Sequence, residues 1–223
     1  MMLALRLTPT GRRSLTTHIA IGSSIGDAYI AIGSAIGDAL PEPVSKVTAN
    51  PVEDPSTNSK LVEILTSKLG APCTAYSTPI SKGMWTTLCH EPTPTSEDSA
   101  RVRGATLASG AKAMLLSTKP NDEMVLAVIS AAAKMDSKAF KKVGGFRSTR
   151  FASEQEVWGV TGCVRGAVPP MGSCFSLRTF VDQSLLDQGC EINFNAGLRT
   201  VSVRMMTEDY LEIERPTICS FKE

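Results

Sequence analysis

The sequence predicts an α/β domain in which a mixed β-sheet is surrounded by short helices. Three observations predict it. From residue 60 onward, short apolar runs alternate with short amphipathic segments, without the long crossovers of a doubly wound sheet. Glycine and proline punctuate these segments closely, with 17 Gly and 13 Pro in 223 residues. Two strongly apolar runs, 111–117 and 124–130, flank Lys119, Pro120, Asn121 and Asp122 and read as a β-hairpin.

The segment before the domain has a different character. Residues 1–24 carry Arg6, Arg12 and Arg13 and no acid, a weak likeness to a mitochondrial transit segment, with a plain disordered N-terminus as the alternative. Residues 19–29 and 30–40 match at nine of eleven positions, a tandem duplication too short for a solenoid. Its glycine spacing is not that of a phosphate loop, and no chemistry is assigned to it. Residues 41–58 hold four prolines and read as a linker. The extension is therefore 1–58 and the domain 59–223, about 165 residues, an ordinary domain size.

Within the domain, Leu61, Val62, Ile64, Leu65 and Leu69 mark an amphipathic helix that Gly70 ends and Pro72 reinforces. Residues 71–77 read as the first strand, followed by a loop through Lys82 and Gly83. A helix over 97–103 follows, started by Thr95 or Ser96. After the hairpin come a helix over 136–142, ended by Gly144 and Gly145, and a strand edge over 146–151. Ser153, with Glu156 three residues on, is the signature of a capping box. Further strands are expected at 179–181, 191–195 and 200–205, a short helix at Ser184 and Leu185, and a last helix over 207–211.

Composition narrows the function. Lys plus Arg is 23 and Asp plus Glu is 22, which excludes a global polycation but not a local nucleic-acid face. An apolar share of 42% fits a globular core rather than a disordered chain. There is no run of about 18 apolar residues for a membrane span. Six cysteines without a CxxC pair exclude zinc-finger spacing and are expected as free thiols. Of the two histidines, His18 lies outside the domain, so a serine triad or a histidine metal site would rest on His90 alone. His90 is either a surface residue or a substrate-facing one.

Three features can carry chemistry. Lys112 follows a glycine turn at the start of an apolar strand, where its charge must reach solvent or a partner. It can hold a phosphate or a carbonyl oxygen, or act as a nucleophile. The stretch TGCVRGAVPPMG can present backbone groups at fixed positions, or be a structural turn. Between residues 134 and 150, Lys134, Lys138, Lys141, Lys142, Arg147 and Arg150 face only Asp136, a local net of +5. That segment is either solvated surface or a phosphate contact, and Phe140, Phe146 and Phe151 nearby are either core or base-stacking groups.

Four segments occur in order: LVEILTSKLGAPCTAY, HEPTPTSEDSARVRGATLASGAKAMLL, VTGCVRGAVPPMG and INFNAGLRTVSVRM. Together, over roughly residues 60–218, they resemble the YbaK/prolyl-tRNA-synthetase-associated family of trans-editing aminoacyl-tRNA deacylases. The resemblance implies a partly barrel-like sheet and hydrolysis of the ester between a wrongly attached amino acid and the tRNA 3′ end. It assigns the critical lysine to Lys112, the Gly-x-x-x-Pro loop to Gly166 and Pro170, and the glycine of a later Ala-Gly element to Gly197. His90 and Thr95 fall near the amino-acid pocket, and Met171 stands where many relatives carry an aromatic residue. Mechanism then follows without metal, cofactor or serine nucleophile. Lys112 stabilises charge, loop backbone groups orient the carbonyl and a water, and the ribose hydroxyl assists proton transfer. The basic segment grips the acceptor stem of the mischarged tRNA, and alanine is the favoured amino acid. A synthetase is a further expected partner, and the cytoplasm the expected location. The alternatives are a noncatalytic tRNA-binding or synthetase-associated module of the same fold, and an unrelated small-molecule hydrolase.

Overall fold

Two sheets meet in the computed structural model, which describes residues 54–223 other than 74. The repeat at 19–40, the basic first 24 residues, His18 and the linker as far as 53 lie outside the described residues. The smaller sheet is antiparallel. Strands β1 (Trp85–Cys89), β6 (Glu191–Asn195) and β7 (Val201–Met206) lie in the order β1-β7-β6. The larger sheet is mixed. It contains β2 (Ala111–Lys119), β3 (Glu123–Ser130), β4 (Ser148–Phe151), β5 (Arg178–Asp182) and β8 (Thr217–Cys219), in the order β4-β2-β3-β5-β8. The β2–β3 and β2–β4 pairs are antiparallel, whereas β3–β5 and β5–β8 are parallel. Among the described residues, six helices surround the sheets: α1 (Ser56–Leu69), α2 (Ser96–Arg103), α3 (Ser137–Val143), α4 (Glu154–Thr161), α5 (Gln183–Leu186) and α6 (Thr207–Glu214). None of these helices is long and apolar enough to cross a membrane. This is the mixed α/β class expected.

Strand β3 shows why the larger sheet holds together. Its apolar run is continuous, so both faces are buried, as in a central strand. The two-residue period sends Leu126 and Val128 into the main core with Leu61, Leu65, Trp85, Phe194 and Val203. The intervening Val125, Ala127 and Ile129 go to a second core with Phe140, Phe180 and Phe221. There the ring of Phe140 lies 5.4 Å from Phe180 and 5.0 Å from Phe221, both edge to face, a favoured aromatic geometry. The buried Asp182 carboxylate accepts the N–H groups of Ser184 at 2.8 Å and Lys222 at 3.0 Å, and that of Phe221. It ties residues 221 and 222 to the end of β5.

The two sheets touch at one point that matters for function. Gly110 forms a parallel bridge with Asn193 of β6, and the Asn193 N–H donates to Ser109 O at 3.0 Å. Lys112 follows two residues later on β2.

Most elements fall where they are expected, and four departures stand out. The strand expected at 71–77 is only a bridge between Cys73 and Thr86, with the Cys73 N–H donating to Trp85 O at 2.8 Å. Pro72 and Pro79 bracket the segment and remove ladder donors. Strand β1 takes its place in the sheet. It has no clean alternation because Trp85 and Thr86 are both buried, the indole donating to Gly70 O at 2.8 Å. Strand β8 is three residues long and carries no sequence signal. Residues 56–58, expected in the linker, are the first turn of α1. The Asp54 carboxylate accepts the Ser56 N–H at 2.9 Å there. All six cysteines are free thiols.

The capping box of α4 is formed as its sequence signature predicts. Ser153 Oγ accepts the Glu156 N–H at 3.2 Å, and Glu156 Oε2 accepts the Ser153 N–H at 2.8 Å. Arg150 donates to both oxygens of Glu156, at 2.8 and 2.7 Å. Ser153→Ala should lower the unfolding free energy by about 1 kcal/mol, read from urea midpoints. Arg150 and the Ser153 N–H hold the Glu156 carboxyl at about 2, below its ordinary 4.5. A carboxyl depressed on folding stabilises above its unfolded value, and that contribution is lost as pH falls through the folded value. In acid titration, wild type should therefore lose stability relative to Glu156→Gln between pH 4.5 and about 2, and the gap should be constant above that window.

Candidate active site

A cavity of about 420 Å³ opens where α2, the start of β2, the end of β4 and β6 converge. Its lining includes Lys112 and Arg103, the exposed Arg165, and no aspartate or glutamate among the described residues. Three cations therefore meet at one cavity in a chain whose formal net charge is +1. Thr93, Thr95, Ser96 and Ser99 form part of one wall. The exposed ring of Phe151 lies on the rim.

Lys112 is half-buried, and its Nζ donates to Ala133 O at 3.0 Å. Burial pushes the ammonium pKa down, and the charge of Glu97 opposes this. One of the three donors is used by the protein, leaving two for a ligand.

The loop at 166–170 uses three of its carbonyls internally. The Gly166 carbonyl takes Asn195 Nδ2 at 2.7 Å, the Ala167 carbonyl takes the Gly197 N–H at 3.0 Å, and the Pro170 carbonyl takes the Tyr210 hydroxyl at 2.8 Å. Burial holds the Tyr210 phenol well above its usual pKa, so it stays a donor. The Ala167 N–H donates to Val164 O at 3.0 Å, and Pro169 and Pro170 have no N–H. The N–H groups of Gly166 and Val168 donate to no group among the described residues, and both residues line the cavity. Gly166 has φ +88°, which a side chain rarely adopts, so this turn demands glycine.

Beyond the lining lies a polar chain. His90 Nδ1 is 2.8 Å from Glu91 O, and its Nε2 is 2.7 Å from Ser202 Oγ. Arg103 Nε donates to Ser202 Oγ at 2.8 Å, and its Nη2 donates to Asn195 Oδ1. Asn195 then holds the Gly166 carbonyl. His90 is thereby connected to the loop through three side chains.

The structure brings Lys112, Thr95 and Gly166 to the cavity. His90, Pro170, Gly197 and Met171 do not line it. Met171 is wholly buried in the main core, so its side chain does not set the pocket width. Pro170 and Gly197 act behind the loop instead. Gly197 has φ +86°, and a Cβ there would stand 2.8 Å from the Asn58 N of α1. Thr95 is the N-cap of α2, its hydroxyl accepting the Asp98 N–H at 3.1 Å and donating to Asp98 Oδ2 at 2.8 Å. In the basic segment, Lys134, Lys138, Lys141, Lys142 and Arg147 are exposed. Arg150 is exposed as well, but its guanidinium is paired with Glu156. Phe140 is core, whereas Phe151 is exposed at the rim. Sequence reasoning passed over Arg103, Asn195 and Ser202. They sit inside the resembling segments, but their contacts join α2, β6 and β7, which no local spacing reveals.

Comparison with known proteins fits this geometry. The aminoacyl-tRNA editing domain family matches residues 90–213. A curated relative, the multifunctional Ser/Thr-tRNA deacylase ProXp-y of Escherichia coli (strain K12), is 38% identical over 136 residues, 60% of this chain and 81% of the relative. The crystal structure of a protein assigned as a trans-editing enzyme for prolyl tRNA synthetase superposes with a TM-score of 0.62 at 20% identity. It covers 75% of this chain and 97% of that one. That of hypothetical protein APE2540 gives 0.60 at 19% identity, covering 73% and 99%. At such identities the structures establish the fold alone. The family match and the curated relative carry the class: the chain belongs to the aminoacyl-tRNA editing domain family, the YbaK-like group its segments resemble, and is an aminoacyl-tRNA deacylase.

Proposed function

We propose that the domain acts in trans on a mischarged tRNA and releases a small hydroxylated amino acid, serine or threonine, from its 3′ end. The observation that carries this reading is the cavity itself, with three cations, no carboxylate, a wall of threonine and serine residues and the free N–H groups of Gly166 and Val168. A nucleotide end brings phosphate and an ester carbonyl, both acceptors, into such a site. Alanine, favoured from sequence, gives way here to serine and threonine for two reasons. The Escherichia coli relative is a Ser/Thr-tRNA deacylase. In addition, Thr93, Thr95, Ser96 and Ser99 line one wall, where hydroxyl oxygens can accept a bond from a substrate hydroxyl. A site built to bond a hydroxyl discriminates strongly against a substrate lacking it.

In this mechanism a water attacks the ester carbonyl carbon, and the bond to the ribose oxygen breaks. That oxygen takes a proton, and free amino acid and tRNA leave. Lys112 and the N–H groups of Gly166 and Val168 stabilise the charge that develops on the carbonyl oxygen. The ribose hydroxyl assists the proton transfer. Lys134, Lys138, Lys141, Lys142 and Arg147 contact acceptor-stem phosphates. Strand β4 runs from beside Arg147 to the rim at Phe151, which joins this basic face to the cavity.

Lys112→Ala should reduce turnover of the charged tRNA about a hundredfold or more without loss of thermal stability. Activity within a few-fold of wild type would remove Lys112 from the mechanism. Reversing Lys141 and Lys142 to glutamate should raise KM for charged tRNA. It should also flatten the log–log salt dependence by about one unit for each phosphate no longer neutralised. An unchanged salt slope would make the basic face mere surface. A panel of Ser-, Thr-, Ala- and Cys-charged tRNAs, beside the free amino-acid esters, tests the specificity. Serine or threonine should be released fastest, and only from tRNA. Preferential release of alanine would overturn the hydroxyl reading, and tRNA binding with no turnover would favour a noncatalytic module.

A further inference from the structure

We propose that Arg103 is a positioning residue for deacylation. Its guanidinium locks the Asn195 amide so that Nδ2 holds the Gly166 carbonyl, and this fixes the direction of the loop N–H groups that meet the ester. The proposal rests on the reading of the cavity as the deacylation site.

The setting of Arg103 is unusual within the molecule. Arg101, Arg150, Arg178 and Arg204 each lie within salt-bridge distance of a carboxylate. Arg103 is half-buried, and its hydrogen-bond partners among the described residues are two neutral oxygens, Ser202 Oγ and Asn195 Oδ1. Burying a guanidinium without a counter-charge costs free energy that an apolar residue of similar size would not. A stabilising role alone does not account for it.

The two bonds explain what the charge does. An asparagine amide is nearly symmetric in shape, and only its hydrogen-bond partners decide which end is which. Arg103 can only donate, so Oδ1 must face it and Nδ2 must face away. The far side is the Gly166 carbonyl, 2.7 Å from Nδ2. A flipped amide would set N–H against guanidinium and oxygen against carbonyl, two repulsive contacts at once. The other end of the guanidinium is fixed in turn. With His90 Nδ1 donating to the Glu91 carbonyl, Nε2 takes the Ser202 hydroxyl hydrogen, which leaves Ser202 Oγ as the acceptor for Arg103 Nε. Each donor in this chain therefore has one direction available. Gly166 lies at its end with φ +88°, a turn that has no side chain to brace it. Small displacements of a reacting group, about 1 Å, can cost about a hundredfold in rate.

Two variants test this by different routes. Arg103→Lys keeps the charge but replaces a planar fork by a point donor that cannot bridge Ser202 and Asn195. Asn195→Asp keeps the shape and gives Arg103 a carboxylate, yet turns an oxygen toward the Gly166 carbonyl. Both should lower kcat for charged tRNA about ten- to a hundredfold with KM changed less than about threefold. Asn195→Asp should not lower Tm. Amide exchange measured by NMR should quicken about tenfold or more at Ala167 and Gly197, whose N–H groups are bonded across the loop, and stay unchanged in β2 and β3.

A folded Asn195→Asp protein with wild-type kcat and loop exchange would overturn the proposal. So would a kcat loss in Arg103→Lys alone, since Arg103 would then act on the substrate directly. If Arg103→Lys does not fold, Asn195→Asp decides. If wild type turns over none of the charged tRNAs, the functional reading falls, and the exchange comparison still decides whether Arg103 positions the loop.

Discussion

The contact at Gly110 joins the two sheets by a backbone bridge, to which Asn193 Nδ2 adds a bond to Ser109 Oγ at 3.2 Å, and the cavity lies beside it. The Gly110 carbonyl accepts the Ala131 N–H at 2.7 Å, while its neighbour Ser109 accepts the Asn193 N–H at 3.0 Å. A Cβ at Gly110 would lie 3.1 Å from both Ala131 Cβ and Leu107 O, so there is little room for a side chain. With the sheets held at this distance, β2 leaves the junction carrying Lys112, and β6 leaves it carrying Asn193 and Asn195. Lysine, asparagines and α2 then enclose one volume. The adjacent Ser130 hydroxyl donates to Ala108 O at 2.8 Å and secures the approach to the junction.

Electrostatics within that volume follow from what the fold spends elsewhere. Two acidic side chains near the site are already committed, and Glu97, whose charge reaches Lys112, is exposed and does not line the cavity. Glu156 is held by Arg150, and Asp98 binds Thr95 and Arg101. Lys112 and Arg103 are left facing neutral oxygens. In a partly desolvated site such charges act on a ligand far more strongly than they would on an open surface. The near-zero net charge of the chain conceals this arrangement.

Much of the fold was legible in the sequence because it was written locally. The β2–β3 hairpin, the capping box of α4, and the glycine that ends α1 each follow from residues a few positions apart. The same holds for Lys112, whose charge at the head of an apolar run marked it out. What could not be read depends on contacts between distant segments. Strand β1 breaks its own alternation because Trp85 is buried by α1 and β7, and 71–77 looks extended until Pro72 and Pro79 are weighed as missing donors. Met171 resembled a pocket residue by position in a motif, but the turn of backbone after Pro170 carries it into the core. Arg103 looked like one more cation at a helix end, and only the approach of Asn195 and Ser202 distinguishes it.

Three carbonyls of the 166–170 loop, those of Gly166, Ala167 and Pro170, are held by Asn195, Gly197 and Tyr210, and the N–H groups of Gly166 and Val168 remain beside the cavity. Together with the cations this makes the cavity a filter of polarity. Its cations and free loop N–H groups favour oxygens that accept a hydrogen bond. An ester carbonyl or a phosphate matches it, whereas the positively charged amino group of the same substrate meets like charge. In the proposed reading that group turns to the threonine and serine wall or to water, so the two ends of an amino acid are sorted by sign before its side chain is measured by size.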